Sequence, residues 1–150
     1  MALPPQLRDL GFKALNAFHR SALRLSGGRV GARALGMAMV ELHVPGRVSG
    51  LPRVTILASP VIDEDGTVLL VASKGGDSRD PEWFKNLVVH PEVDLVVAGE
   101  RRSYRARVLS SAETEDCWAA IVDAYRPYDA YRAKAGRPIP VVACTPLDGD

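Results

Sequence analysis

The chain has 150 residues, of which 47% are hydrophobic and 25% charged, and its formal net charge is +1. This length and composition are typical of one globular domain with a self-sufficient core, and a near-neutral charge gives no argument for nucleic acid as a partner. No apolar run approaches the roughly 18 residues that would cross a bilayer, and charged side chains interrupt any signal-peptide core near the N-terminus. We therefore expect a single cytoplasmic domain over residues 1–150.

An amphipathic helix is predicted over about residues 5–26. Apolar side chains recur at spacings of three and four, namely Leu7, Leu10, Ala14, Phe18, Ala22 and Leu25. Before Glu41 the only acidic residue is Asp9, so the helix is basic. A basic amphipathic helix can lie on an anionic membrane surface, which would make the protein peripheral at the inner face of the cell membrane. The alternative is that its apolar stripe packs on the domain or on a second subunit in a homodimer.

From Met37 onward the pattern changes to that of β-strands, with two short helices between them. We predict strands over residues 37–44, 54–62, 67–72, 93–97, 103–109 and 138–144. A helix is predicted over residues 81–89, with Asp80 as its N-cap, and a second helix begins at Ser111. Because strands outnumber helices and tight turns join them, the pattern favours a mainly β fold, an antiparallel barrel with peripheral helices, over a parallel α/β sheet.

Residues 46–53, which link the first two strands, form the first candidate site. Two glycines in this segment allow backbone N–H groups to approach a ligand closely. Ser49 adds a hydroxyl, and Arg47 and Arg53 can clamp a phosphate. Residues 74–76, Lys-Gly-Gly, offer a second cationic loop, and strand ends could place both loops on one rim. The alternative is two glycine-rich turns with solvated charges.

Three of the four tyrosines of the chain lie within residues 125–131. Tyr128 and Tyr131 are three residues apart and would share a helix face, and Tyr125 precedes Tyr128 by three residues. A phenol can stack on a planar ring and also donate a hydrogen bond or a proton. The alternative is an aromatic plug over the barrel mouth.

No metal site is predicted. The three histidines, His19, His43 and His90, are far apart in the sequence, and a surface or hydrogen-bonded structural role suits each of them better. Cys117 and Cys144 lack the spacing of metal ligands.

These segments together resemble the deazaflavin-dependent nitroreductase family, also described as quinone reductases that use coenzyme F420. The family pattern is a Gly-Arg-basic-Ser/Thr-Gly-x-Pro-Arg loop, Ala-Ser-Lys-Gly-Gly, Pro-x-Trp-Tyr/Phe-x-Asn-Leu, Asn/His-Pro-x-Val, a tyrosine-rich segment and Ile-Pro-Val-Val. Here the pattern corresponds to residues 46–53, 72–76, 81–87, 90–93, 125–131 and 139–142. One departure is Val48, which stands where the family usually has Lys or Arg and removes one cation from the phosphate groove.

The resemblance implies a split β-barrel, similar to flavin reductases and pyridoxamine-phosphate oxidases, and it implies roles for individual residues. It assigns the phosphate end of the coenzyme to Arg47, Ser49, Pro52 and Arg53, and the phosphate and ring to Ser73, Lys74, Gly75 and Gly76. Trp83 and Asn86 serve as wall and support, and the substrate side of the ring is lined by Tyr125, Tyr128 and Tyr131. Tyr128 is the first choice to hydrogen-bond the charge that develops on the acceptor.

The implied reaction is hydride transfer from reduced coenzyme F420 to a quinone, a nitro-aromatic or a related unsaturated acceptor. A deazaflavin favours two-electron chemistry, so the protein supplies orientation and charge. Two alternatives are an FMN-binding split-barrel oxidoreductase, which could use the same rim loops, and a non-catalytic protein that binds F420 or another small ligand.

Overall fold

The computed structural model describes residues 33–34 and 36–147. Its strands are β1 (Arg33–Ala34), β2 (Met37–Pro45), β3 (Pro52–Ser59), β4 (Val68–Val71), β5 (Glu92–Val97), β6 (Glu100–Val108) and β7 (Val141–Pro146). Its helices are α1 (Glu82–Val89), α2 (Ser111–Ala124) and α3 (Pro127–Ala135), and residues 74–76 form a short 3-10 turn. The helix predicted over about residues 5–26 lies outside the described residues.

The strands form one antiparallel sheet that curls into a barrel. Its order is β3-β2-β5-β6-β7-β4, with β1 paired to the start of β2. The chain beyond β3 returns to β4, because the N–H of Leu69 donates to the carbonyl of Val61 at 3.0 Å and Ile62 bridges Val68. The described residues show no ladder between β3 and β4 themselves. The predicted mainly β barrel with peripheral helices is confirmed.

Two hydrophobic layers lie on either side of β4 and β7. One fills the barrel and contains Val68 and Leu70 of β4, while the other packs Leu69 and Val71 against α2 and α3. All four residues of β4 are therefore buried. This explains why β4 has an unbroken apolar sequence rather than the alternation of a half-exposed strand.

The three helices begin and end for different local reasons. Helix α2 has a capping box, in which the Ser110 side chain accepts from the N–H of Glu113 and the Glu113 carboxylate accepts from the N–H of Ser110. Helix α3 has Pro127 in its first turn and ends at Gly136, whose φ of 64° suits glycine. The prediction that Asp80 caps α1 is wrong: Pro81 is the N-cap, and the Asp80 carboxylate accepts a hydrogen bond from Arg137.

Several predicted strand ends differ from those observed. The second predicted strand, 54–62, corresponds to Pro52–Ser59, and the last, 138–144, corresponds to Val141–Pro146. Pairing with neighbours sets these limits, since Pro52 lies opposite Pro45 and Pro146 lies opposite Tyr104. The sequence of one strand does not contain that information.

Candidate functional site

The two glycine-rich loops leave the same end of the barrel. Residues 46–51 follow β2, and residues 72–76 follow β4. Four antiparallel steps, through β5, β6 and β7, separate β2 from β4, so these two strands run in the same direction. The sequence-based expectation of one rim therefore agrees with the topology.

The loop over residues 46–51 is tightly closed by its own backbone. The N–H of Gly46 donates to the carbonyl of Leu51, and the N–H of Gly50 donates to the carbonyl of Gly46, both at 2.9 Å. The Ser49 hydroxyl accepts from the N–H of Leu51 at 3.1 Å. A Cβ at position 46 would lie 2.9 Å from Ser49 Oγ and 3.5 Å from Arg53 Nε. Glycine thus keeps open a small cradle beside a hydroxyl and a guanidinium.

Arg47 is held against α1 by a buried amide and an exposed carboxylate. Its N–H and its Nη1 both donate to Asn86 Oδ1, at 3.0 and 2.9 Å, and Nη1 lies 2.8 Å from Glu82 Oε2. The hydrogen bond with Arg47 lowers the pKa of Glu82, so the carboxylate is charged at neutral pH. Asn86 thus holds the loop against α1, whereas Glu82 adds an anion that the sequence analysis did not assign.

Arg53 has a different environment. It lines an open pocket of about 280 Å³ together with Pro52, His43, Asp94 and Arg101, and within the described part of the chain it is not paired with a carboxylate. At the loop tip the side chain of Val48 is 91% exposed. Arg53 is therefore the guanidinium of this loop that is available to an anionic ligand.

The second loop has an unusual backbone and a close neighbour. Lys74, Gly75 and Gly76 have φ of 46°, 62° and 85°, and Ser73 before them is buried. A Cβ at Gly76 would lie 3.2 Å from Tyr131 Cα. The predicted coenzyme loop therefore lies directly against the tyrosine helix α3.

The three tyrosines form one cluster with unequal exposure. The rings of Tyr125 and Tyr128 are 5.3 Å apart, and Tyr131 lies 6.1 Å from Tyr128 and 6.4 Å from Tyr125. Tyr128 is only 5% exposed, and its hydroxyl donates to Met37 Sδ at 3.8 Å. Its hydroxyl is thus turned into the core, although the sequence analysis made it the first choice for contact with the acceptor. Tyr125 and Tyr131 are half-buried.

Burial affects the acidity of these phenols. Burial raises the pKa of Tyr128 above its usual range. Burial, together with a hydrogen bond to Tyr125, raises the pKa of Tyr131 to about 12. Both phenols therefore stay protonated at neutral pH, and a phenol in that state can donate a hydrogen bond.

Trp83 belongs to the barrel interior. It is buried with the residues that fill the barrel, and its ring meets Phe84 edge-on at 6.3 Å between centroids. One face of helix α1 thus packs into the core through Trp83, while Asn86 holds the first loop through its hydrogen bonds with Arg47. The roles of Trp83 and Asn86 as wall and support of a coenzyme site stay predictions.

One residue beside the site, Arg137, had no sequence signal. Its guanidinium is largely buried and donates to backbone carbonyls around the second loop. An arginine between a helix-ending glycine and a proline does not reveal partners some 60 residues away. Only the fold brings these segments together.

Comparison with known proteins identifies the family. A family model described as F420H(2)-dependent quinone reductase matches residues 17–146. The chain belongs to this family. An F420H(2)-dependent quinone reductase of Mycobacterium tuberculosis (strain ATCC 25618 / H37Rv) is 34% identical over 144 residues, which cover 92% of this chain and 93% of the relative.

Two solved structures are similar to this chain in both sequence and fold. A solved F420-H2 dependent reductase matches with a TM-score of 0.63 and 34% identity, over 71% of this chain and 92% of that one. A second solved chain, a domain-swapped dimer, matches with a TM-score of 0.66 and 32% identity, over 85% of this chain and 96% of its own. The predicted family, split-barrel fold, oxidoreductase class and F420 coenzyme are confirmed, and FMN is not favoured. In the described part of the chain, no helix has both the length and the apolar character needed to cross a bilayer.

Proposed function

We propose that this chain transfers a hydride from reduced coenzyme F420 to a quinone, and that the rim loops and α3 form the site. The observation that carries the proposal is the contact between Gly76 and Tyr131, where a Cβ on the glycine would lie 3.2 Å from Tyr131 Cα. This contact joins the loop that resembles a coenzyme site to the helix with the only clustered phenols among the described residues. Coenzyme and acceptor would then share one wall.

The residues present fit the anionic end of this coenzyme. Arg53 is not paired with any described carboxylate and lies beside the cradle that Gly46 keeps open, and a guanidinium is well suited to a phosphate. Arg47, Ser49, Pro52 and Lys74 would complete the binding of the phosphate and tail, and Ser73, Gly75 and Gly76 would follow the ring. The bound coenzyme would supply the hydride.

The acceptor gains negative charge during reduction, so the protein must provide a hydrogen-bond donor. Tyr131 is half-buried, carries a protonated phenol and lies against the loop that contains Gly76, so we assign it this role. Tyr125 would support the Tyr131 hydroxyl, and Tyr128 would hold the cluster from the core side, with its hydroxyl on Met37. A nitro-aromatic acceptor would need the same donor, since its oxygens also gain charge.

The coenzyme assignment is tested by titrating the protein with oxidised F420 and, separately, with FMN while ligand fluorescence is followed. Micromolar binding of F420 with weak binding of FMN would support the proposal, and a quinone such as menadione would then be tested as the acceptor. Tight FMN binding without F420 binding would reject it.

Glu82 should weaken coenzyme binding, because its carboxylate occupies Arg47 and would repel a phosphate. Replacing Glu82 with Gln should tighten F420 binding by about two- to fivefold, the modest effect expected for an ion pair whose carboxylate side chain is largely exposed. The control is Glu64→Gln, which removes the same charge from the exposed turn before β4, at the opposite end of the barrel. Equal affinities of the Glu82 and Glu64 variants, measured at low salt, would show that Glu82 does not compete with the coenzyme.

A membrane-soluble acceptor would give the basic N-terminal segment a purpose at the lipid surface. We propose peripheral membrane contact through this segment. We also propose that two copies of this chain can pair, because a similar solved chain is a domain-swapped dimer. Deleting the residues before Gly28 should reduce co-sedimentation with anionic vesicles while leaving F420 binding intact. Unchanged sedimentation would remove the membrane role.

A further inference from the structure

Arg137 contacts the second loop with its whole guanidinium group. Nε donates to the carbonyl of Asp77 at 3.0 Å, and Nη1 donates to Asp80 Oδ1 at 2.9 Å. Nη2 lies within hydrogen-bonding distance of three more carbonyls, those of Ala72 (3.1 Å), Ser73 (3.4 Å) and Arg79 (2.9 Å). One side chain thus collects carbonyls from both ends of the loop over residues 72–79.

The loop needs such an external contact because its backbone is strained. Three successive residues, Lys74, Gly75 and Gly76, have left-handed φ values, and Lys74 lacks the freedom of glycine. Conformations of this kind persist only where the surroundings fix them. Inside the loop, the N–H of Gly76 donates to the carbonyl of Ser73 and the N–H of Asp77 to that of Lys74, and the Asp77 carboxylate accepts from the N–H and the guanidinium of Arg79. Arg137 adds the hydrogen bonds that link this loop to the end of α3.

Arg137 is itself fixed by the tyrosine helix. It directly follows Gly136, the left-handed residue that ends α3, and its side chain is only 13% exposed. Gly76 lies against Tyr131 of the same helix. The loop therefore lies against α3 at Gly76, and the hydrogen bonds of Arg137 join it to the chain just beyond the end of that helix.

We infer that Arg137 is the positioning residue of the site: it holds the loop over residues 72–79 at a fixed distance from Tyr131, and so sets the coenzyme against the acceptor wall. The inference rests on the proposed function. Misplacement by about 1 Å can slow a reaction a hundredfold, which is why such a contact matters although Arg137 itself need not touch either substrate.

Two measurements on the full chain test this role. Native-state hydrogen exchange of the Gly76 and Asp77 amides reports the loop without coenzyme, and fluorescence titration with oxidised F420 reports the site. In Arg137→Gln both amides should exchange at least about tenfold faster, and the dissociation constant for F420 should rise about tenfold. Arg137→Lys keeps the charge but lacks the several N–H donors of the guanidinium. Its amide exchange rates and its dissociation constant for F420 should therefore lie between those of the wild type and the Gln variant. Arg107→Gln removes an exposed arginine paired with Glu113 outside the site and should change neither quantity.

The outcomes separate this inference from the proposed function. Faster exchange with weaker F420 binding, and a fall in kcat for quinone reduction at saturating reduced F420, would support the positioning role. Unchanged exchange in both Arg137 variants would overturn it, and so would faster exchange with unchanged F420 affinity, because Arg137 would then be structural only. Absence of F420 binding by the wild type would reject the proposed function and with it the coenzyme part of the inference, while the exchange data would still decide whether Arg137 holds the loop. If the Gln variant does not fold, Arg137→Lys carries the test.

Discussion

Replacing Tyr131 with Phe should lower the rate of quinone reduction by about ten- to a hundredfold while leaving F420 affinity nearly unchanged. The phenol would donate a hydrogen bond to the oxygen that gains charge, and Phe keeps the ring but removes the donor. The measurement is steady-state turnover of menadione with reduced F420, combined with the fluorescence titration. Loss of affinity with unchanged kcat would assign Tyr131 to coenzyme binding instead.

Tyr128→Phe is the matched control. Among the described residues, its hydroxyl donates to Met37 Sδ alone, 3.8 Å away in the core, and a bond to a thioether is weak. The rate should therefore stay within about twofold of the wild type. The reverse result, with Tyr128 essential and Tyr131 dispensable, would restore the choice made from the sequence and would require α3 to reorient when ligands bind.

The pH dependence adds a third criterion. Because burial and the hydrogen bond to Tyr125 raise the pKa of Tyr131 to about 12, its phenol remains protonated through the neutral and mildly alkaline range. Donation by Tyr131 should then leave kcat level up to about pH 10. A fall in kcat near neutral pH that vanishes in the Phe variant would contradict this protonation state.

The strand pattern and the motif segments were predictable because both depend on local sequence. The alternation in residues 103–109 indicates one buried face, on which Tyr104 and Ala106 lie. The two glycine-rich loops were also recognisable, since Gly46 and Gly76 occupy positions where a side chain would meet a neighbour. What these loops approach was inferred from a family resemblance rather than from their spacing.

The remaining features depend on contacts between distant segments. Asp80 looked like a helix cap because it precedes Pro81, but Arg137, 57 residues later, takes its carboxylate. Tyr128 was the first choice for contact with the acceptor, because a helix with two spaced tyrosines does not show which one faces the core. Nothing in the sequence indicated a role for Glu82, since its ion pair with Arg47 forms only where α1 meets the first loop.

Replacing Gly76 with Ala should destabilise the fold by about 2–3 kcal/mol and weaken F420 binding. The φ of 85° would strain an L-residue, and the new Cβ would lie 3.2 Å from Tyr131 Cα, a backbone atom that can move only if α3 moves. The free energy of unfolding in urea measures the first effect, and fluorescence titration measures the second.

Gly136→Ala separates the two causes. Gly136 also has a left-handed φ, 64°, but a Cβ there would meet nothing within 4 Å, so only the conformational cost of about 1 kcal/mol is expected. The excess loss in the Gly76 variant then measures the close approach of the loop to α3. If both variants lost the same stability and kept full F420 affinity, the contact between Gly76 and Tyr131 would be incidental. The proposed shared wall between coenzyme and acceptor would then lose its main structural support.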